Sequence, residues 1–150
     1  MSRLRFRNID ASPSDPVERW PYEGLVAAIE RGAVSDWRRI IETITELPWG
    51  GAAANLDAYL AGADETGVTA LMRRALHRSR EAARTSETQA VAEQVRALIA
   101  ASGLSRTEFA ERAGTSPSRL STYCTGKVTP SAALTLRFAR ISQAAQTTDE

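Results

Sequence analysis

Leu104-Ser105-Arg106-Thr107-Glu108-Phe109-Ala110-Glu111-Arg112-Ala113-Gly114, followed at once by Thr115-Ser116-Pro117-Ser118-Arg119-Leu120-Ser121-Thr122-Tyr123-Cys124-Thr125-Gly126-Lys127, is the stretch that decides how this chain folds. Each half reads as a short capped helix. In the first, Ser105 stands three residues before Glu108, the spacing at which a hydroxyl and a carboxylate satisfy each other's free backbone amides. Phe109, Ala110 and Ala113 form its inward face, and Gly114 permits a sharp turn. In the second half Ser116 is the cap, and Pro117 sits in the first turn, where its missing amide proton has no partner to lose. Leu120 and Tyr123 point to a core. That leaves Ser118, Arg119 and Thr122 on the opposite edge, polar and short or flexible enough to enter a nucleic-acid groove. Thr129-Pro130 is expected to cap a third unit, in which Ala133, Leu134, Leu136, Phe138 and Ile141 are available for packing.

Upstream, Val91, Val95, Leu98 and Ile99 form the buried stripe of a helix that Gly103 ends. Ser86 and Gln89 have the spacing of another capping box, so a new helix is expected to start near Ser86 after a helical or loosely helical connector over 81–86. Val68, Leu71, Met72, Ala75 and Leu76 recur at helical spacing before it, with Thr66 or Thr69 as the start and Arg73, Arg74, Arg78 and Arg80 facing water. Ala52 to Leu60 supplies a short helix, closed by Gly62. Trp37, Ile40, Ile41, Ile44 and Leu47 repeat every three or four residues in a helix capped by Ser35 and stopped by Pro48. Tyr22 to Arg31 carries Leu25, Val26 and Ile29 and ends at Gly32, expected as a left-handed cap. Pro13, Pro16 and Pro21 in a polar opening predict irregular chain, and the alternation Arg3-Leu4-Arg5-Phe6-Arg7 is too short for a strand. The expected fold is all-α: a flexible segment over 1–17, a helical domain over 18–85, a second helical bundle over 86–143 and a disordered tail over 144–150.

A length of 150 residues, 43% hydrophobic, 25% charged and a net charge of +1 fit a globular chain of one domain or two small ones and exclude disorder and fibre. Uncharged stretches such as 47–56 and 128–136 fall well short of the ~20 apolar residues that span a bilayer. The opening residues carry Arg3, Arg5 and Arg7 with no apolar core after them, so they read as neither a secretory signal nor an anchor, and a cytoplasmic location is expected. The single cysteine, Cys124, and the single histidine, His77, leave no metal cluster, and no phosphate loop, dinucleotide glycine triplet or His-Glu-x-x-His occurs. No enzyme, cofactor or metal site is expected. Between Gly103 and Gln143 six basic residues stand against two acidic ones, a local +4 that suits DNA.

Residues 91 to 141 resemble the lambda-repressor/Cro-type helix-turn-helix domain, the XRE family. The positions that carry the resemblance are Gly103-Leu104-Ser105, Phe109-Ala110, Ala113-Gly114-Thr115-Ser116, Leu120, Tyr123, Gly126-Lys127 and Pro130. The resemblance implies binding to double-stranded DNA through Arg106, Thr107, Ser116, Ser118, Arg119, Thr122, Lys127 and Thr129. Arg119 is expected to read a guanine edge with its planar fork, worth about 1–3 kcal/mol of discrimination, while Arg106 and Lys127 grip phosphates. The family often has Gln where Arg106 stands and Glu where Cys124 stands. Pro117 removes one further base-reading side chain. A homodimer would set two reading helices about 34 Å apart and favour an inverted-repeat operator.

Asp15 to Pro21, Ala33 to Ile40 and Pro48-Trp49-Gly50 are similar to stretches in actinobacterial helix-turn-helix proteins of unassigned role. Small proteins of this type often serve as antitoxins that repress their own operon, which makes a cognate toxin an expected partner by analogy. The competing readings are a ligand-sensing regulator without a toxin, and an interaction adaptor that binds no DNA. Other features have plain readings. Trp20, Trp37 and Trp49 are core anchors before they are a ligand pocket; Cys124 is a half-buried small residue before it is a redox sensor. Likewise Arg73, Arg74, Arg78, Arg80 and Arg84 form a solvated helix face, and Arg3, Arg5 and Arg7 a mobile tail instead of a minor-groove arm.

Overall fold

The computed structural model describes residues 3–148 and is all-helical there, with no strand among the described residues. A 3₁₀ turn at Val17–Arg19 precedes seven α-helices: α1 (Tyr22–Arg31), α2 (Val34–Glu46), α3 (Gly51–Gly62), α4 (Gly67–Ser102), α5 (Arg106–Ala113), α6 (Pro117–Thr125) and α7 (Ala132–Thr147). The chain divides into two compact units, Met1–Ala83 and Arg84–Glu150. Each has its own apolar core, and α4 contributes to both, with Met72 and Leu76 in the first and Val95 and Ile99 in the second.

In the first unit most of the residues read from periodicity meet: Leu25 and Ile29 of α1, Ile40 and Ile44 of α2, and Leu56 and Leu60 of α3 are buried, joined by Ala28 and Ala53, whereas Leu47, expected in the α2 stripe, falls just past the last turn of that helix and is exposed. The segment over 3–17 differs from the flexible leader expected of it. Leu4 and Phe6 pack against this core, and Phe6 meets the buried Trp20 ring edge-on at 5.3 Å. Arg39 explains why the proline-rich stretch stays down. Its guanidinium lies over Trp20 at 5.0 Å and donates to the carbonyls of Pro13 and Asp15 at 2.6 and 2.8 Å. Met1 and Ser2 lie outside the described residues.

Several local expectations give way to competing contacts. Gly32 is extended (φ −79°), not left-handed; a Cβ there would lie 2.2 Å from the Ala28 carbonyl oxygen, so close approach is what calls for glycine. Ala33, not Ser35, is the N-cap of α2, and its amide donates to the Asp36 carboxylate at 2.9 Å. At the start of α4 the Thr66 hydroxyl accepts the Thr69 amide at 3.1 Å and the Thr69 hydroxyl accepts the Thr66 amide at 2.7 Å, so both candidate starters act together. Trp20 is buried and the half-buried Trp37 donates its indole N–H to the Ala28 carbonyl at 3.0 Å, but Trp49 is 50% exposed beneath Arg80 and is no core anchor. Leu71 also faces water, at 44% exposure.

Ser86 lies inside a helix. No helix starts there, and α4 runs unbroken for 36 residues. Between Gly67 and Ser102 there is neither proline nor a second glycine, and residues such as Glu81, Ala82, Ala83 and Arg84 favour helix. The amides that a capping box would serve are better satisfied by the continuing backbone ladder.

The second unit closes over Phe109, Leu120, Tyr123 and Phe138, with Val91, Leu98, Leu104, Leu134 and Ile141 packed around it. Phe138 of α7 is its hub, tilted against Phe109 at 5.5 Å and Tyr123 at 6.1 Å. Ser131 caps α7 by accepting the Leu134 amide at 3.1 Å, so Thr129 is not the cap; the neighbouring Pro130 is buried. Leu136, expected to pack, is 52% exposed. Residues 144–147, expected in a disordered tail, complete the last turn of α7.

Candidate nucleic-acid interface

The site is built by two short helices and the turn between them. Ser105 accepts the Glu108 amide at 3.2 Å while Glu108 Oε2 accepts the Ser105 amide at 2.9 Å, which starts α5. The bond from the Ser105 amide, then its hydroxyl, with Arg112 adding attraction, hold the Glu108 carboxyl below the usual carboxylate range. Gly114 ends α5 at φ 72°, a left-handed conformation that costs glycine little. Its amide bonds the Glu111 carbonyl and that of Thr115 bonds Ala110, so two backbone bonds close the reversal. Ser116 then caps α6 by accepting the Arg119 amide at 3.1 Å, with Pro117 in the first turn.

The two edges of α6 divide as the sequence predicts. Leu120 and Tyr123 are buried, and so is Cys124, which was expected half-buried, while Ser118, Arg119, Ser121 and Thr125 are exposed and Thr122 is half-buried. Of the eight expected DNA-contacting residues, Ser118, Arg119 and Thr122 lie on this edge of α6, Ser116 is its N-cap, and Lys127 and Thr129 are exposed in the loop that follows. Arg106 and Thr107 occupy the first two positions of α5 and are exposed. The Arg119, Arg106 and Lys127 side chains make no hydrogen bond or ion pair among the described residues, so their cations are available to an anionic partner. Two hydroxyls are partly committed: Ser116 serves the cap, and Thr122 Oγ1 donates to the Arg119 carbonyl at 2.6 Å, keeping its lone pairs as acceptors.

Two arginines that sequence reasoning did not single out hold this arrangement. Arg137 on α7 donates to the Ala113 carbonyl at 2.8 Å, securing the end of α5. Arg96 on α4 donates to the Cys124 carbonyl near the end of α6. In sequence both look like ordinary solvated helix residues; only the packing of helices brings each guanidinium to another helix's last turn. Arg137 was part of the local +4, so one of those six charges also has a structural duty.

A cavity of about 450 Å³ in the first unit is lined by Ile29, Glu30, Tyr59, Asp64, Thr66 and Thr69, among others. Its two carboxylates would repel phosphate, and Tyr59 donates to Glu30 at 3.2 Å, with burial and then Glu30 pushing the phenol's pKa up. No group of three or more metal-ligating side chains occurs among the described residues, and no helix is long and apolar enough to cross a membrane.

Comparison with known proteins agrees with this geometry. A family model described as a helix-turn-helix domain matches residues 71–150, more than half of the chain and a wider span than 91–141. No curated protein and no solved structure matches.

Proposed function

We propose that this chain, which belongs to the helix-turn-helix domain family, is a sequence-specific DNA-binding regulator of transcription. The observation that carries the reading is the exposed polar edge of α6, Ser118-Arg119-Thr122, set on a helix whose other edge is sealed into the core by Leu120 and Tyr123. A helix so anchored presents its first turns outward with its position defined, which is what reading base edges in a major groove requires. Arg119 supplies the bidentate donor for guanine, Ser118 and Thr122 short hydrogen-bonding groups, and Arg106, Thr107, Lys127 and Thr129 the backbone-facing contacts. Ser116 belongs with these at the phosphate line.

Selection of duplexes from a random pool by the purified chain, at stated salt, tests this directly. Enrichment of a motif supports the reading, and an inverted repeat supports a homodimer on a two-fold operator. Arg119→Ala is expected to relax discrimination at one base pair; unchanged discrimination removes Arg119 from direct readout. The finer reading is the XRE type of this family, acting as repressor of its own operon, with the first unit holding a cognate toxin. Exposed apolar side chains there, Val34, Leu47 and Trp49, support a protein partner for that unit. Retardation of the chain's own upstream DNA tests autorepression. Rescue of growth on coexpression with the neighbouring gene's product, together with copurification, tests the antitoxin role.

A further inference from the structure

We infer that Arg96, on α4, is a positioning residue for DNA readout: it fixes the carboxy-terminal end of α6 and thereby the pose of Ser118 and Arg119. The inference rests on the DNA-binding reading above and assigns a role to a residue that makes no contact with bases in it.

Cys124 is the last residue but one of α6, so its carbonyl lies among the four at a helix end that have no partner within the helix. Arg96 Nη1 donates to that carbonyl. The Thr122 carbonyl, another of the four, receives the Val128 amide at 3.2 Å across the left-handed Gly126. Helix α6 has no basic residue in its own last turn, so Arg96 also supplies the positive charge that complements the negative end of its dipole. The same face of α4 seats the following loop. A Cβ on Gly126 would lie 3.4 to 3.6 Å from Gln89, Thr88 and Ala92, ordinary contact distance, so Gly126 rests against the helix that carries Arg96.

The far end of α6 does the reading. From Cys124 to Ser118 is six residues, about 9 Å along the axis. Once the tie at Cys124 is lost, a tilt of about 10° about the buried Tyr123 would move Ser118, about 7.5 Å away along the axis, by roughly 1.3 Å, more than the ~0.5 Å range of a good hydrogen bond. The Ser116 cap holds the first turn's amides but not the direction of the axis. Leu120 and Tyr123 anchor the middle, and Arg96 is the polar tie at the end.

The experiment uses the full chain as parent, Arg96→Met and Arg96→Lys, each checked for helicity. Affinity for the selected duplex and for a scrambled duplex is measured over a salt series. Arg96→Met is expected to lower the ratio of the two affinities at least fivefold with the salt slope unchanged, and Arg96→Lys, which keeps charge and a donor, to recover part of the ratio. A change of stability alone would leave the ratio untouched in the folded fraction. An unchanged ratio overturns the inference. So does a slope reduced by about one with the ratio intact, since that marks Arg96 as a phosphate contact. Should Arg96→Met fail to fold, the Lys variant carries the test: a ratio below the parent's supports positioning and an equal one overturns it. A parent that prefers no duplex overturns the DNA-binding reading itself, a result distinct from any of these.

Discussion

Ser116 caps α6 and, in the proposed function, lies on the phosphate path; two substitutions separate these roles. Its hydroxyl accepts the Arg119 amide at 3.1 Å, and the residue is exposed where phosphates are expected to pass. Ser116→Ala leaves that amide to water, a loss of about 1 kcal/mol, which in a domain of 60–100 residues lowers Tm by roughly 4–8 °C. Ser116→Asp retains a cap acceptor and adds a carboxylate at the positive end of α6, so its stability is expected to stay within about 0.5 kcal/mol of the parent. Toward DNA the same carboxylate has the wrong sign. Were two phosphates to pass at about 7 Å, each would cost about 0.6 kcal/mol at the dielectric of water, together roughly an eightfold loss of affinity. Urea midpoints report the first effect, and mobility shifts at fixed salt the second. An Asp variant as unstable as the Ala variant would refute the capping argument. One that binds duplex as tightly as the parent would remove Ser116 from the interface.

Glu87→Pro is expected to cost about 3 kcal/mol or more, because residue 87 lies inside α4. Were Ser86 the start of a helix, proline would sit at its first position and thermal denaturation would show little change. Leu120→Ala, at a side chain with no exposure, is expected to cost about 2–5 kcal/mol; a urea midpoint that barely moves would mean that the second core does not close around it. Because the folded Glu108 carboxyl lies below its ordinary value, its contribution is present in full above the usual carboxylate pKa and is lost as pH falls through the folded value. Stability of Glu108→Gln, which keeps an acceptor but no titrating group, is expected to depend less on pH on the acid side, and an identical acid limb in both proteins would contradict the assignment.

Residues 103–127 were legible because their information is local. A serine three residues before a glutamate, a glycine where φ must be positive and a proline where no amide is needed act over one turn of chain, and no distant contact overrides them. Most of the core stripes of α1, α2 and α3 were legible for a related reason: periodicity fixes which face is apolar whatever it packs against, but not where a helix stops, and Leu47, one residue past α2, is exposed. The Ser86 box shows the limit of such signals. Its spacing was correct, yet a cap matters only where a helix is interrupted, and nothing between Gly67 and Ser102 interrupts this one. Thr129 lost the α7 cap to Ser131 on similarly close competition.

The sequence by itself determined that the chain is helical, where the sharp turn before α6 falls, and which edge of α6 is polar, since torsional preferences and apolar spacing are properties of neighbouring residues. Tertiary structure alone decided that Arg39 binds the opening segment, that Trp49 lies half exposed beneath Arg80, and that Arg96 and Arg137 end on the carbonyls of other helices. A long arginine can reach many acceptors, and which one it meets depends on where packing sets a helix distant in sequence.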